Sequence, residues 1–301
     1  MKPGVLYIVL TGWLAMTLAC NLTASSSTPE TPLPTSTIPE VTTPTAVSLQ
    51  DSLPEPTSTA DERNLVHVLP GEPIKLAYQG HETGPDFVNP DLGPNLAPHP
   101  FMQASQKSAE DFGLIHGFSA ELIPFDDRCG AGEGASTASA LVSDPEIVAV
   151  IGPICSASAI EALPIYEIAK IAVISGSATQ PDLVLFGPAV FNRVILNDDQ
   201  MQDIGFVLAV DSEAMPSVHA FHSEFHAWGG APLIEGANSY LPYQYDAVGV
   251  LLSALERTAE VQDDGSLLVD RDLLLGNLRE MDNYPGITGP ISITSTGDRA
   301  P

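Results

Sequence analysis

The chain has 301 residues, enough for two ordinary domains, and 44% of them are hydrophobic. Its 38 acidic side chains against 11 basic ones leave a formal charge of −27. Such a surface repels phosphate backbones and carries no Lys/Arg cluster, which excludes nucleic acid as a partner; it also repels anionic lipid headgroups, so a membrane can hold it only through a covalent lipid.

The chain opens with Lys2 and an apolar run over 5–18 that is short for a bilayer span and ends in Thr17-Leu18-Ala19-Cys20. This reads as a signal peptide over 1–19. Small residues before Cys20 make a lipobox, in which the thiol takes a diacylglycerol and the cysteine becomes the new N-terminus. Thr17 stands where such boxes usually carry Leu, and a plain signal peptide cut near Ala19 is the alternative. With no later segment long and apolar enough to span, the expected mature protein is lipid-anchored at the outer face of the cytoplasmic membrane, extracellular or periplasmic. Residues 20–64 are the lipidated cysteine and a Ser/Thr/Pro-rich stretch that cannot bury a core and serves as a disordered spacer.

The folded domain is expected over 65–301. Val- and Ile-rich runs at 74–78, 120–125, 147–151, 171–174 and 190–196 predict strands, and the segments 101–112, 133–142 and 158–169 between them predict helices. This alternation specifies an α/β fold with an open, mainly parallel sheet flanked by helices. Ser158 and Glu161 have capping-box spacing at the start of the third helix. The last third predicts helices over 216–228, 240–260 and 271–281 and a closing strand over 289–294. No internal repeat is present.

Several side-chain groups invite chemistry. His219, His222 and His226 share one helical face, opposite Phe221, Phe225 and Trp228. That predicts a solvent-facing histidine stripe over an aromatic core face, with zinc binding as the alternative; the HSEFH segment is not the metalloprotease HExxH. Gly130, Gly132 and Gly134 lack the spacing of a phosphate loop and predict a loose turn before the second helix. Asp126 and Asp127 read as a solvated strand end, with a cation site or a pair of working carboxylates as the alternative. No GxSxG is present and no catalytic set can be assembled, so no enzyme activity, metal or cofactor is predicted.

The segments IKLAYQGHETGP (74–85), HGFSAELIPFDDRC (116–129) and EIVAVIGPICSASAIEALPIYEIAKIAVISGSATQPDL (146–183), then VFNRVILNDDQ (190–200), YDAVGVLLSALERTAE (245–260) and YPGITGPISITSTGDR (284–299), resemble the leucine-binding type of periplasmic solute-binding protein. These are the type I periplasmic receptors of branched-chain amino-acid ABC importers. The resemblance covers most of 74–301. The order DDxC, GPxCS and SxSAT is its specific part.

The resemblance implies a disulfide between Cys129 and Cys155, with Cys20 left for the lipid; a nucleophilic or metal-binding Cys155 is the alternative, and it leaves Cys129 unexplained. In the family the ligand's α-carboxylate is held by the turn after the third strand and the segment after the fourth, which implies Ser156, Ser177, Ala178 and Thr179 here. Neither segment carries a Lys or Arg, which suits a zwitterion held by amides and hydroxyls. The alternative is that these serines only cap and turn. The implied partners are leucine, isoleucine, valine or a similar amino acid, and the permease subunits of an importer.

The chain also departs from the family. A complete second lobe normally follows the segment resembling 190–200 and supplies the groups that hold the ligand's ammonium. Here Gln200 is followed almost directly by 206–211 and the helix from Pro216, so most of the second lobe is expected to be deleted near 200–206. Half a cleft cannot bury the 70–90% or so of a ligand's surface that a good pocket buries. An importer receptor weakened by truncation is therefore expected, with a ligand-sensing or protein-interaction module reusing the same lobe as the alternative.

Overall fold

Ile147–Ile151 is a run of five buried apolar residues, the composition of a strand covered on both faces. In the computed structural model, which describes residues 64–81, 99–180, 183, 191–193, 216–230 and 240–300, this run is the central strand of a five-stranded sheet. Numbering in chain order, the strands are β2 (Ile74–Gly80), β3 (Ala120–Asp126), β4 (Ile147–Ile151), β5 (Val173–Ser175) and β6 (Phe191–Arg193). Their spatial order is β3-β2-β4-β5-β6, and every pair is parallel.

The helices cover both faces. Ile74, Leu76 and Tyr78 of β2 and Ile174 of β5 face α1 (Pro100–Phe112) and α5 (Leu241–Thr258). Ala77, Ile147, Val150 and Val173 face α2 (Ala131–Leu141) and α3 (Ser156–Ala169). Packed against α1, the sheet and the smaller elements at once, α5 buries Ala247, Val248, Val250, Leu251, Leu252, Ala254 and Leu255. That near-continuous burial explains why its apolar residues exceed a single stripe.

Two smaller antiparallel elements lean on α5. One is the sheet β1-β8-β7, from Leu65–Val68, Leu267–Asp270 and Glu260–Val261. The other is the hairpin β9-β10, from Tyr284–Gly286 and Gly289–Ile291. Helix α6 (Arg271–Arg279) starts at Asp270, whose side chain accepts from the amides of Asp272 and Leu273.

The fold has the expected α/β class, and most elements fall within two residues of their predicted bounds. The exceptions have physical reasons. Helix α3 begins at Ser156 with Cys155 at its N-cap and no side-chain cap bond. Ser158 therefore lies inside the first turn and turns into the core, so the predicted capping box does not form. Helix α2 begins at Ala131, which puts Gly132 and Gly134 within the helix and not in a turn before it. The helix predicted over 240–260 stops at Thr258, because Glu260 and Val261 pair with Leu268 and Leu267 instead. In α4 (Pro216–Trp228) the histidine stripe is only partly solvent-facing: His222 is buried while Trp228 is exposed. The signal peptide, Cys20, the spacer and the 200–206 junction lie outside the described residues.

Candidate functional site

In this strand order the chain runs outward from β2 to β3 and then crosses back to β4. The carboxyl ends of β2 and β4 therefore border the point where the order reverses, and in open α/β sheets such a point opens a ligand crevice. Two loops leave the sheet on the β4 side of that point, 152–155 after β4 and 176–180 after β5.

The first loop is shaped by Gly152. Its φ is +115°, and a Cβ there would lie 2.1 Å from the carbonyl oxygen of Gln79 on β2. Only glycine allows β2 and the β4 loop to approach this closely. The loop ends at Cys155, which is bonded to Cys129 beyond β3 with a Cα–Cα distance of 5.3 Å. The disulfide implied by the family pattern is thus present, and it ties the start of α3 to the end of β3.

The second loop is gathered around the Ser175 hydroxyl. Ser175 Oγ donates to the Pro153 carbonyl at 3.0 Å and accepts from the amides of Ser177 at 3.3 Å and Ala178 at 3.1 Å. Ser177 Oγ donates to the Ile154 carbonyl at 2.8 Å, and Gln180 N donates to Ser156 Oγ at 3.3 Å. Three side chains therefore stitch one loop to the other.

The structure brings all four expected ligand residues together. Ser156, Ser177 and Thr179 are half-buried at this seam, and Ala178 is fully buried beneath it. As it stands, the Ser177 hydroxyl and the amides of 177 and 178 are engaged inside the seam. An arriving carboxylate would compete for groups already satisfied at about 3 Å.

Below the seam lies a buried polar network that the sequence did not reveal. Asp127 is fully buried, contrary to the expected solvated strand end, and it accepts from Ser158 Oγ and, at 3.0 Å, from Cys129 N. Gln79 Nε2 donates to Ser158 Oγ at 3.3 Å and to the Gly134 carbonyl at 3.2 Å, while Gln79 Oε1 accepts from Tyr166 Oη. Burial pushes the Asp127 carboxyl above its ordinary value, against the lowering effect of these hydrogen bonds. Burial also raises the Tyr166 hydroxyl, reinforced by the neighbouring Asp127. At the end of β2, His81 and His99 meet edge-on at 5.9 Å. Burial, with His81 adding to it, lowers the pKa of His99 to about 4, so its ring is neutral at pH 7.

Gln79, Ser175 and Gln244 are the residues that sequence reasoning missed, and Ser158 is one it assigned to a cap instead. The available signal was a polar side chain closing an apolar strand, as at Gln79 and Ser175. Among the described residues no group of three or more His, Cys, Asp or Glu converges on a metal position, and no helix is long and apolar enough to cross a membrane.

A parallel sheet in this order, with two hydroxyl- and amide-lined loops at its reversal point and no basic side chain, has the fold of the type I periplasmic binding proteins. The chain superimposes on an ABC-transporter substrate-binding protein of Desulfitobacterium hafniense in complex with leucine with a TM-score of 0.54 at 17% identity, spanning 76% of this chain and 95% of that one. It is 33% identical over 132 residues to the Leu/Ile/Val-binding protein of Escherichia coli K12, and 31% identical over 103 residues to an amino acid binding protein of Pseudomonas aeruginosa. Those matches take in 43% and 33% of this chain but only 34% and 28% of the relatives, so the chain matches about a third of their length. No family model matches the chain. In fold the chain is similar to ABC-transporter substrate-binding proteins, and over about a third of their length its sequence is similar to amino-acid-binding proteins of the leucine-binding type.

Proposed function

We propose that this chain is the membrane-anchored, extracytoplasmic solute-binding component of an importer for branched-chain or related amino acids, held by a lipid on Cys20. The observation that carries the reading is the stitched pair of loops after β4 and β5, which places Ser156, Ser177, Ala178 and Thr179 at one seam beside the sheet's reversal point. Hydroxyls and the amides opening α3 give an anion partial positive charge without a basic side chain, as a zwitterion's carboxylate requires. The spacer over 21–64 gives the domain reach above the membrane and toward permease subunits. With most of the second lobe absent near 200–206, the ammonium and side chain of the ligand lack their half of the cleft, and affinity falls.

Calorimetry and thermal unfolding test this. A dissociation constant near 1 mM for leucine, isoleucine or valine would stabilise the fold by about 1.4 kcal/mol at 10 mM ligand. A rise in Tm of that order is the expected result. Micromolar affinity would contradict the half-cleft, and no rise at 10 mM would contradict amino-acid binding.

A further inference from the structure

Three of the four expected ligand residues lie on the loop 176–180, and the ladder that fixes β5 ends at Ser175. Beyond that residue the ladder gives no further backbone bonds, and the serine bonds to the strand end and the β4 loop leave Gly176 to be held from another side. Helix α5 supplies it. Gly176 lies so close to the first turn of α5 that a Cβ would meet the backbone N and Cα of Gln244 at 2.5 Å. The Gln244 side chain is fully buried and engaged at both ends. Its Oε1 accepts from Gly176 N at 3.3 Å, and its Nε2 donates to Ser105 Oγ of α1 at 3.0 Å. Ser105 Oγ in turn donates to the Phe101 carbonyl at 2.8 Å.

Packing alone does not call for an amide here. A methionine would fill much the same space without the desolvation that a buried amide suffers. What the amide adds is direction: it points an acceptor at the residue before Ser177 and anchors that acceptor to a second helix. Ser175 Oγ holds the amides of 177 and 178 from the strand side, and Gln244 holds Gly176 from the helix side. Between them they set where the loop's amides and the Ser177 hydroxyl point.

We infer that Gln244 is a positioning residue for the ligand loop, acting through Gly176 and buttressed by Ser105; this rests on the amino-acid-binding reading above. The test is amide hydrogen exchange on the full chain carrying Gln244→Met, with leucine affinity measured beside it. Exchange at Gly176, Ser177 and Ala178 should accelerate about tenfold, the scale of one lost hydrogen bond. Exchange at Val250 and Leu251 inside α5 should stay within about twofold, and the leucine dissociation constant should rise with the loop's exchange. Gln244→Glu keeps an acceptor for Gly176 N and should restore slow exchange there. If Gln244→Met does not fold, Ser105→Ala removes only the buttress and should accelerate the same three amides about threefold. Unchanged exchange at 176–178 would overturn the inference, as would uniform acceleration tracking a lower urea midpoint. Absence of leucine binding in the unaltered chain would count against the proposed function, while the exchange pattern would still decide the role of Gln244.

Discussion

The loops after β4 and β5 lie side by side at one edge of the sheet, yet they are held by different chemistry. The β4 loop runs into a covalent bond at Cys155 and sits above a buried carboxylate, Asp127, which is bonded to the same stretch of chain as Cys129. The β5 loop is held by neutral hydrogen bonds through Ser175, Ser177, Gln244 and Ser156. A disulfide acts mainly on the unfolded chain and raises global stability. Neutral hydrogen bonds of about 1 kcal/mol each set how easily a loop opens locally. One side of the seam is therefore built as a fixed wall, and the other as a part that, under the proposed function, exchanges its internal hydrogen bonds for a ligand's.

Removing the covalent tie should have the largest effect. The bridge spans a sequence separation of 26 residues. In the chain-entropy account, closing a loop of that size is worth about 3.5 kcal/mol. The Cys129→Ser/Cys155→Ser chain should lose stability on that scale in urea, and a thiol reductant should bring the unaltered chain to the same midpoint. Equal midpoints with and without reductant would remove the covalent side of the comparison.

A smaller effect is expected at the contact between α2 and α3. Alanine for glycine inside a helix ordinarily gains up to about 1 kcal/mol. At Gly134 the added Cβ would sit 2.5 Å from the Ser158 carbonyl oxygen, against backbone that cannot swing away. Gly134→Ala should therefore reverse the ordinary sign and cost about 1–3 kcal/mol. A stabilised variant in thermal unfolding would show that α2 and α3 are not wedged together at Ser158.

The smallest effect concerns pH. Burial holds the Asp127 carboxyl above the ordinary 3.8 in the folded chain. The folded state therefore binds this proton more tightly than the unfolded state does. The group's contribution to stability grows as pH falls from neutral through the raised value, and it levels off below the unfolded one. Asp127→Asn abolishes that gain. Unfolding at pH 7, 5.5 and 4 should show the unaltered chain gaining on the variant as pH falls, and a constant difference would mean that Asp127 is solvated after all.

How far the sequence could be read follows from where each constraint lives. Strand β4 and helix α4 were legible to the residue, because an apolar run and a Gly-Gly stop are local signals. The disulfide and the meeting of the loops after β4 and β5 were legible through the order DDxC, GPxCS and SxSAT. Ser158 misled because its spacing to Glu161 suits a cap, whereas its true partner is Asp127, 31 residues away. Asp127 misled for the same reason: a carboxylate at a strand end is exposed or buried according to what packs over it, and α3 packs there. The β9-β10 hairpin was half-seen, since Asp246 on α5 is what holds its turn, accepting from the amides of Ile287 and Thr288 at 2.9 Å. Gln244 gives no local sign of its role, because its partners lie on α1 and the β5 loop.

The central claim is that an amino acid's carboxylate meets the seam between the β4 and β5 loops. The most direct measurement is a leucine titration followed by backbone amide chemical shifts, which detects millimolar binding residue by residue. Ser156, Ser177, Ala178 and Thr179 should shift together along one saturating curve, with Gly176 following and the β9-β10 hairpin unmoved. Shifts confined to another surface, or no shift at these four residues under saturating leucine, would contradict the account.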